Sequence, residues 1–313
     1  MKYFFVLFLS LPYLFSFIVK EKTQQTDLDK YNLEGNVKSM KETRFYAKVK
    51  DSGIVKEEIT DNSYASYEIL FNTLGFITEY HANYPKKTVN TYKLYAYWED
   101  KVVQILEYDA KGDLKSKELF EYNLKEQVTQ QASYRDNKFF EKRNYGYDKN
   151  ENLFTIIYKN KSRKKSKIWQ YTYNEKGKKI ESLTFEMKPK KKNWTEKHFY
   201  KYDETGRLIC DSAITFPDKY FEKTIYKYDN AGRRTDVVNY DNSGEINWSY
   251  SNKYDEHGNI LEFTNYDNIM GLKHSDTTYH KYIYDEKGNW TQKTSYDSNL
   301  FPTIITERIF EYY

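Results

Sequence analysis

A tyrosine followed by aspartate or asparagine returns along this chain about every 26 residues. The register runs Tyr122-Asn123, Tyr147-Asp148, Tyr173-Asn174, Tyr202-Asp203, Tyr228-Asp229, Tyr254-Asp255 and Tyr284-Asp285, with steps of 25, 26, 29, 26, 26 and 30 residues. A fixed period of this length constrains architecture more than local propensity does, because each unit must stack on copies of itself to bury a face. A second register falls between the first: Tyr108-Asp109, Tyr134-Arg135, Tyr158-Lys159, Phe216-Pro217, Tyr240-Asp241, Tyr266-Asp267 and Tyr296-Asp297. Each unit therefore holds two segments of about 13 residues, room for one strand and one tight reversal.

The reversals share the pattern [Asp/Asn]-x-x-Gly. It occurs at Asp203–Gly206, Asp229–Gly232, Asp241–Gly244, Asp255–Gly258 and Asp285–Gly288, and earlier at Asn32–Gly35, Asn72–Gly75, Asp109–Gly112 and Asn174–Gly177. Asp or Asn at the first position accepts from backbone amides of the turn, and glycine at the fourth takes the left-handed conformation that closes a type I turn with a bulge. Nine of the chain's 12 glycines fill that slot. Asn123–Glu126 and Asp148–Glu151 lack the glycine and are expected to turn more loosely. Between reversals the chain alternates: Ile246, Trp248, Tyr250 and Tyr254 share one parity, Asn247, Ser249, Ser251 and Lys253 the other. Period two marks half-buried antiparallel strands, and no apolar 3.6 period of useful length competes with it.

These features predict an all-β chain, an antiparallel β-hairpin meander of roughly ten units and about twenty strands. Open twisted sheets rarely pass about ten strands without curling. A long curved or spiralling sheet with its aromatic face inward is therefore expected, with a straight ribbon as the alternative. A closed interior would imply enclosure, and an open concave face would imply ligand binding.

Composition fits a thin, half-wet wall. Mean hydropathy is −0.94, yet aromatics make up 19% with 34 tyrosines, which disordered chains lack. Met1-Lys2, an apolar run from Tyr3 to Val19, and Lys20-Glu21-Lys22 read as a signal peptide or uncleaved anchor over residues 1–20. Residues 21–30 read as a polar linker and 31–313 as the repeat domain. The expected address is export to the periplasm, cell surface or medium. The membrane is engaged only through the N-terminal segment, if that segment is retained. Formal charge is +4, which gives no overall footprint for nucleic acid. The single cysteine, Cys210, excludes an internal disulfide and reads as a small buried hydrophobe.

No nucleophile motif, phosphate loop or dinucleotide glycine pattern occurs, and the five histidines (His81, His198, His257, His274, His280) show no metal-ligand spacing. The chain is therefore read as non-enzymatic, without cofactor or metal. The aspartates recur in turn slots and are read as turn caps rather than calcium ligands or glycosidase acids. One local anomaly is charge. Lys159, Lys161, Arg163, Lys164, Lys165 and Lys167 crowd one half-step reversal, and Lys188, Lys190, Lys191 and Lys192 crowd the next, with Trp169 and Trp194 beside them. Reversals one unit apart share an edge of a meander about 10 Å apart, so the ten cations form one candidate patch for an anionic glycan. Solvated lysine-rich loops explain the same residues without a ligand.

The string Tyr-x-Tyr-Asp-x-x-Gly-[Asn/Arg] occurs at Tyr200–Arg207, Tyr226–Arg233 and Tyr282–Asn289. It resembles the YD repeat of RHS-type proteins. That resemblance implies an exported or cell-surface β-repeat protein, associated with carbohydrate binding or with enclosing a toxin. No non-repetitive cargo domain follows here, and the family offers no catalytic residues to transfer. The expectation is a cell-envelope scaffold or binding protein whose partner is a polysaccharide or another envelope protein. A shell or immunity-type partner that sequesters a secreted protein is the alternative, and a polysaccharide-acting enzyme the third.

Overall fold

The computed structural model describes residues 25–59, 66–84, 91–161, 166–188, 191–269 and 271–313. The apolar leader therefore lies outside the described residues. A short helix α1 (Asp27–Lys30) precedes the strands β1 (Val37–Lys50), β2 (Gly53–Glu58), β3 (Ser66–Phe71), β4 (Ile77–Asn83), β5 (Thr91–Trp98), β6 (Lys101–Tyr108), β7 (Leu114–Tyr122), β8 (Val128–Arg135), β9 (Lys138–Tyr147) and β10 (Leu153–Asn160). There follow β11 (Ser166–Tyr173), β12 (Lys179–Lys188), β13 (Lys191–Tyr202), β14 (Leu208–Thr215), β15 (Phe221–Tyr228), β16 (Arg234–Tyr240), β17 (Ile246–Tyr254), β18 (Ile260–Ile269), β19 (Leu272–Tyr284), β20 (Trp290–Tyr296) and β21 (Pro302–Tyr312).

Each strand from β3 onward pairs antiparallel with the next, as the repeat predicts. The meander then closes. One edge of β1 pairs with β21, from Val37↔Tyr312 to Tyr46↔Ile304. The other pairs with β3 over Ser39–Glu42 and, further along, with β2 over Phe45–Lys50. β2 thus continues the line of β3, and the result is a closed barrel of 20 strands, more specific than the expected curved or spiralling sheet. Closure removes both free edges, which a long open meander would expose to pairing with other chains.

Each Tyr-Asp reversal is built alike. In Asp229–Arg233, Gly232 N–H donates to Asp229 O, Asp229 N–H donates to Arg233 O, and Asp229 Oδ1 accepts from Arg233 N–H at 2.8 Å. Gly232 sits at φ 81°, where a side chain is strained even in open space. The glycine-free turns are not looser, contrary to expectation. Glu126 (φ 62°) and Glu151 (φ 67°) adopt the same left-handed conformation, and the Asn123 and Asp148 caps keep their bonds. The first-position cap therefore dictates the turn, and glycine only removes its strain. Asn32–Gly35 is a different exception: it links α1 to β1 and is not a hairpin.

A second device ties unit to unit. The tyrosine of each repeat donates its hydroxyl to the backbone carbonyl that opens the return strand of the preceding unit. The bonds are Tyr97→Ile77, Tyr122→Val102, Tyr147→Val128, Tyr173→Leu153, Tyr202→Lys179, Tyr228→Leu208 and Tyr254→Arg234, all 2.6–2.8 Å. The residue after the turn glycine completes the joint. Arg207 lies over the Tyr228 ring and Arg233 over Tyr254, and Arg233 also donates to Asp255 O at 2.7 Å. At the two turns where asparagine follows the glycine, the tyrosine swings to the turn carboxylate instead. Tyr284 bonds Asp255 and Asn259, and Tyr312 bonds Asp285 and Asn289. Tyrosine holds this slot because phenylalanine could stack but could not reach a carbonyl.

The wall is one layer thick and wet. All its strands belong to one sheet, and most of the described side chains on both faces are only partly buried. Among the described residues a buried apolar cluster forms at the seam, where Leu33, Val37, Met40, Ile69 and Phe71 pack with Leu28, Tyr31, Phe310 and Tyr312. α1 is part of it, at the end of the stretch 21–30 that the sequence reads as a polar linker. Thr26 and Asp29 form a capping box, and the Asp27 and Leu28 amides donate to Gly75 O. Cys210 is a buried free thiol.

Candidate binding surfaces

Pairing registers assign side chains to two faces. One carries Tyr67, Tyr80, Tyr95, Tyr145, Tyr171, Tyr200, Tyr226 and Tyr282, and is called here the tyrosine face. It is not oily, for Glu42, Glu118, Arg143, Asp211, Lys293 and Arg308 share it. The opposite face carries Lys197, Lys201, Lys223, Lys227, Lys253, Glu262 and Glu307. A barrel that crosses a bilayer needs one continuous apolar band on its outer wall. Among the described residues, charged side chains interrupt both faces. Among the described residues no helix is long and apolar enough to cross a membrane.

Burial raises the hydroxyls of Tyr95, Tyr200 and Tyr282 to about 12. Buried phenols also sense groups two strands away, Glu118 for Tyr145 and Tyr145 for Tyr171. Under α1 this face opens into a cavity of about 950 Å³, lined by Tyr31, Phe76, Tyr95, Tyr97 and Tyr122. The turn residues Asp203, Gly206, Asp229, Gly232, Asp241, Gly244, Asp255, Gly258, Asp285 and Gly288 pair into five hydrogen-bonded turns. Backbone amides and the Arg207 guanidinium hold Asp203 well below the usual carboxylate range. These carboxylates are consumed by turn structure.

The ionisable clusters are structural in geometry. His198 sits between Asp211 (2.8 Å) and Glu196 (3.1 Å), and the Asp211 bond raises its pKa against the opposing effect of burial. His280 meets Ser295 at 3.0 Å, and burial, helped by Lys293, lowers it to about 4. Arg308 donates to Glu42 at 2.9 Å across the seam and stacks on Trp290. Among the described residues no group of three or more His, Cys, Asp or Glu is placed to hold a metal ion.

The basic patch is only partly visible. Arg163, Lys164, Lys165 and Lys190 lie outside the described residues, as do the side chains of Lys188, Lys191 and Lys192. Topology puts the β10–β11 and β12–β13 reversals on one rim, two strand spacings apart. The described members do not form a single surface. Lys159 shares a face with Lys142, whereas Lys167 lies opposite Tyr158 on the tyrosine face. Trp169 packs edge-on against Tyr158, and Trp194 packs against Phe216. Sequence reasoning missed the seam residues Glu42 and Arg308, which follow no repeat slot, and the seam role of Asn289, which fills the slot after the turn glycine.

No family model and no curated protein matches the chain. Among solved structures it aligns with a TcdB2-TccC3-Cdc42 complex at TM-score 0.35 and 10% identity, over 82% of this chain and only 16% of that one. It aligns with a porin-like protein from Bacteroides uniformis at TM-score 0.32 and 12% identity, over 88% of this chain and 96% of that one. Likenesses at this level assign neither family nor function.

Proposed function

We propose that the chain is an exported, non-enzymatic β-repeat shell that holds a guest inside its ring, with the tyrosine face lining the bore. Closure of β1 on β21 carries this reading, because a closed wall that is wet on both faces has an interior to fill. Twenty strands spaced about 4.8 Å and tilted about 40° make a circular ring roughly 40 Å across between backbones. That bore accepts a polypeptide segment of a secreted partner. Convergence of tyrosines from alternate strands supports the inward assignment. The resemblance to YD repeats and the apolar leader support export.

Photo-crosslinking in the native host tests it. A benzophenone amino acid replaces Tyr145 in one variant and Lys201, on the opposite face, in another. A single stoichiometric adduct from the Tyr145 position alone supports a guest. Adducts from both faces, or from neither, reject it. The second reading, an anionic-glycan binder, draws on the two basic reversals sharing a rim. Replacing the ten rim cations by serine then abolishes retention on an anionic glycan column, and unchanged retention removes it.

A further inference from the structure

The rim that carries the Tyr-Asp reversals is not uniformly polar. Three successive hairpins expose a large apolar side chain at their tips: Leu74 between β3 and β4, Trp98 at the end of β5, and Leu124 between β7 and β8. Their exposures are 62%, 60% and 105%. Hairpins on one rim stand two strand spacings apart, so the three tips form a ridge about 20 Å long. Scattered apolar residues need no explanation, but here three successive tips of one rim carry one each.

The chain itself indicates what faces this ridge. Thr26 and Leu28 lie against Gly75, in the same turn as Leu74, and Gly75 O accepts from the Asp27 and Leu28 amides. The first described residue, Gln25, lines the cavity beneath. The apolar run Tyr3–Val19 ends six residues before Gln25. If that run is retained as an anchor, the bilayer it enters lies within six residues of chain from this turn. Nearby cations are already neutralised: Lys101 pairs with Asp100 and Glu126, and Lys125 pairs with Glu151. Approach to lipid then strips water from ion pairs rather than from isolated charges, a smaller desolvation cost. Trp98 suits the headgroup boundary, and exposed Glu99 beside it keeps insertion shallow.

We propose that Leu74, Trp98 and Leu124 form a membrane-docking ridge that seats this rim of the barrel on a phospholipid surface, with the ring standing outside the bilayer. The barrel lies on the membrane and does not span it. The opposite rim exposes Leu272, Leu300 and Phe301, at 78%, 63% and 63%, but among the described residues no N-terminal segment reaches it. It supplies the control.

The full chain is reconstituted into phosphatidylcholine vesicles with and without dibrominated acyl chains. The emission attributable to Trp98 is obtained by difference from W98F. It should fall about twofold in brominated vesicles, as for an interfacial tryptophan. L74S/L124S should relieve that quenching, and L272S/L300S/F301S should leave it intact, each variant being checked for native strand content by circular dichroism. An unquenched Trp98 overturns the proposal and indicates a protein or solvent environment for the ridge. Quenching lost only when the opposite rim is altered overturns it equally. Neither outcome bears on whether the bore holds a guest.

Discussion

Asn289 is the residue on which closure depends most visibly. Its side chain is 2% exposed and makes three bonds of 2.8 Å: Nδ2 donates to Glu34 O and to the Tyr312 hydroxyl, and Oδ1 accepts from Glu34 N–H. Asn259 holds the same slot one unit earlier, but its side chain donates only to the Tyr284 hydroxyl, at 2.9 Å. The pair isolates the seam. Asn259→Ala removes one neutral bond, worth about 1 kcal/mol. Asn289→Ala removes three such bonds, two of them to the backbone of the exposed Glu34 where water can replace them, so its cost is about 1–3 kcal/mol. Urea titration followed by circular dichroism gives the two midpoints, and amide exchange at Glu34 and Val37 reports opening of the seam. Equal costs for the two substitutions, or unchanged exchange at Glu34, would refute the reasoning.

Tyr228→Phe keeps the stack under Arg207 but loses the bond to Leu208 O. It should cost about 1 kcal/mol in urea, and no loss would remove the inter-unit joint from the account. Glu151→Gly should stabilise by about 0.5–1 kcal/mol by relieving left-handed strain, and Gly232→Ala should destabilise by about 1–2 kcal/mol, with nothing within 4 Å of its new methyl. The histidines act oppositely with pH. The folded-state pKa of His198 is raised, so its contribution is complete below the unfolded value of about 6.5 and fades as pH rises through the folded value. That of His280 is lowered to about 4, so between about 6.5 and 4 the unfolded chain binds more protons and stability falls with acidification. Denaturation across pH should therefore show His198→Gln losing most stability at acid pH, and His280→Asn flattening the acid-side loss. The reverse pattern would contradict both assignments.

The hairpins were legible because everything that makes them is local. A cap, a left-handed residue and an alternating strand fit within about 13 residues. The glycine-free turns show which of these signals dominates, since Asn123 and Asp148 still dictate the bend when Glu126 and Glu151 must bear the strain. The joint between units was half legible. The tyrosine period is plain in the chain, but the carbonyl that each hydroxyl reaches lies about 20 residues upstream and appears only when strands are in register. Closure was not legible. It depends on twist accumulated over the whole sheet and on Glu42, Arg308 and Asn289, which meet partners more than 250 residues away; only Asn289 fills a repeat slot, and the slot does not reveal its partner. The helix α1 had a readable signal in Thr26 and Asp29, overlooked because four residues give no periodicity. Of the basic loops, the sequence showed the shared rim but not that Lys159 and Lys167 lie on different faces of the wall.

Whether the ring closes is tested by one disulfide. Lys41 and Ile309 are directly opposed on β1 and β21, and both are exposed. In a Cys210→Ser background, K41C/I309C should oxidise rapidly to an intramolecular disulfide, visible as a compact band on non-reducing gels and as one cross-linked peptide by mass spectrometry. An open spiral would keep the two thiols apart, and then only free thiols or intermolecular dimers would form.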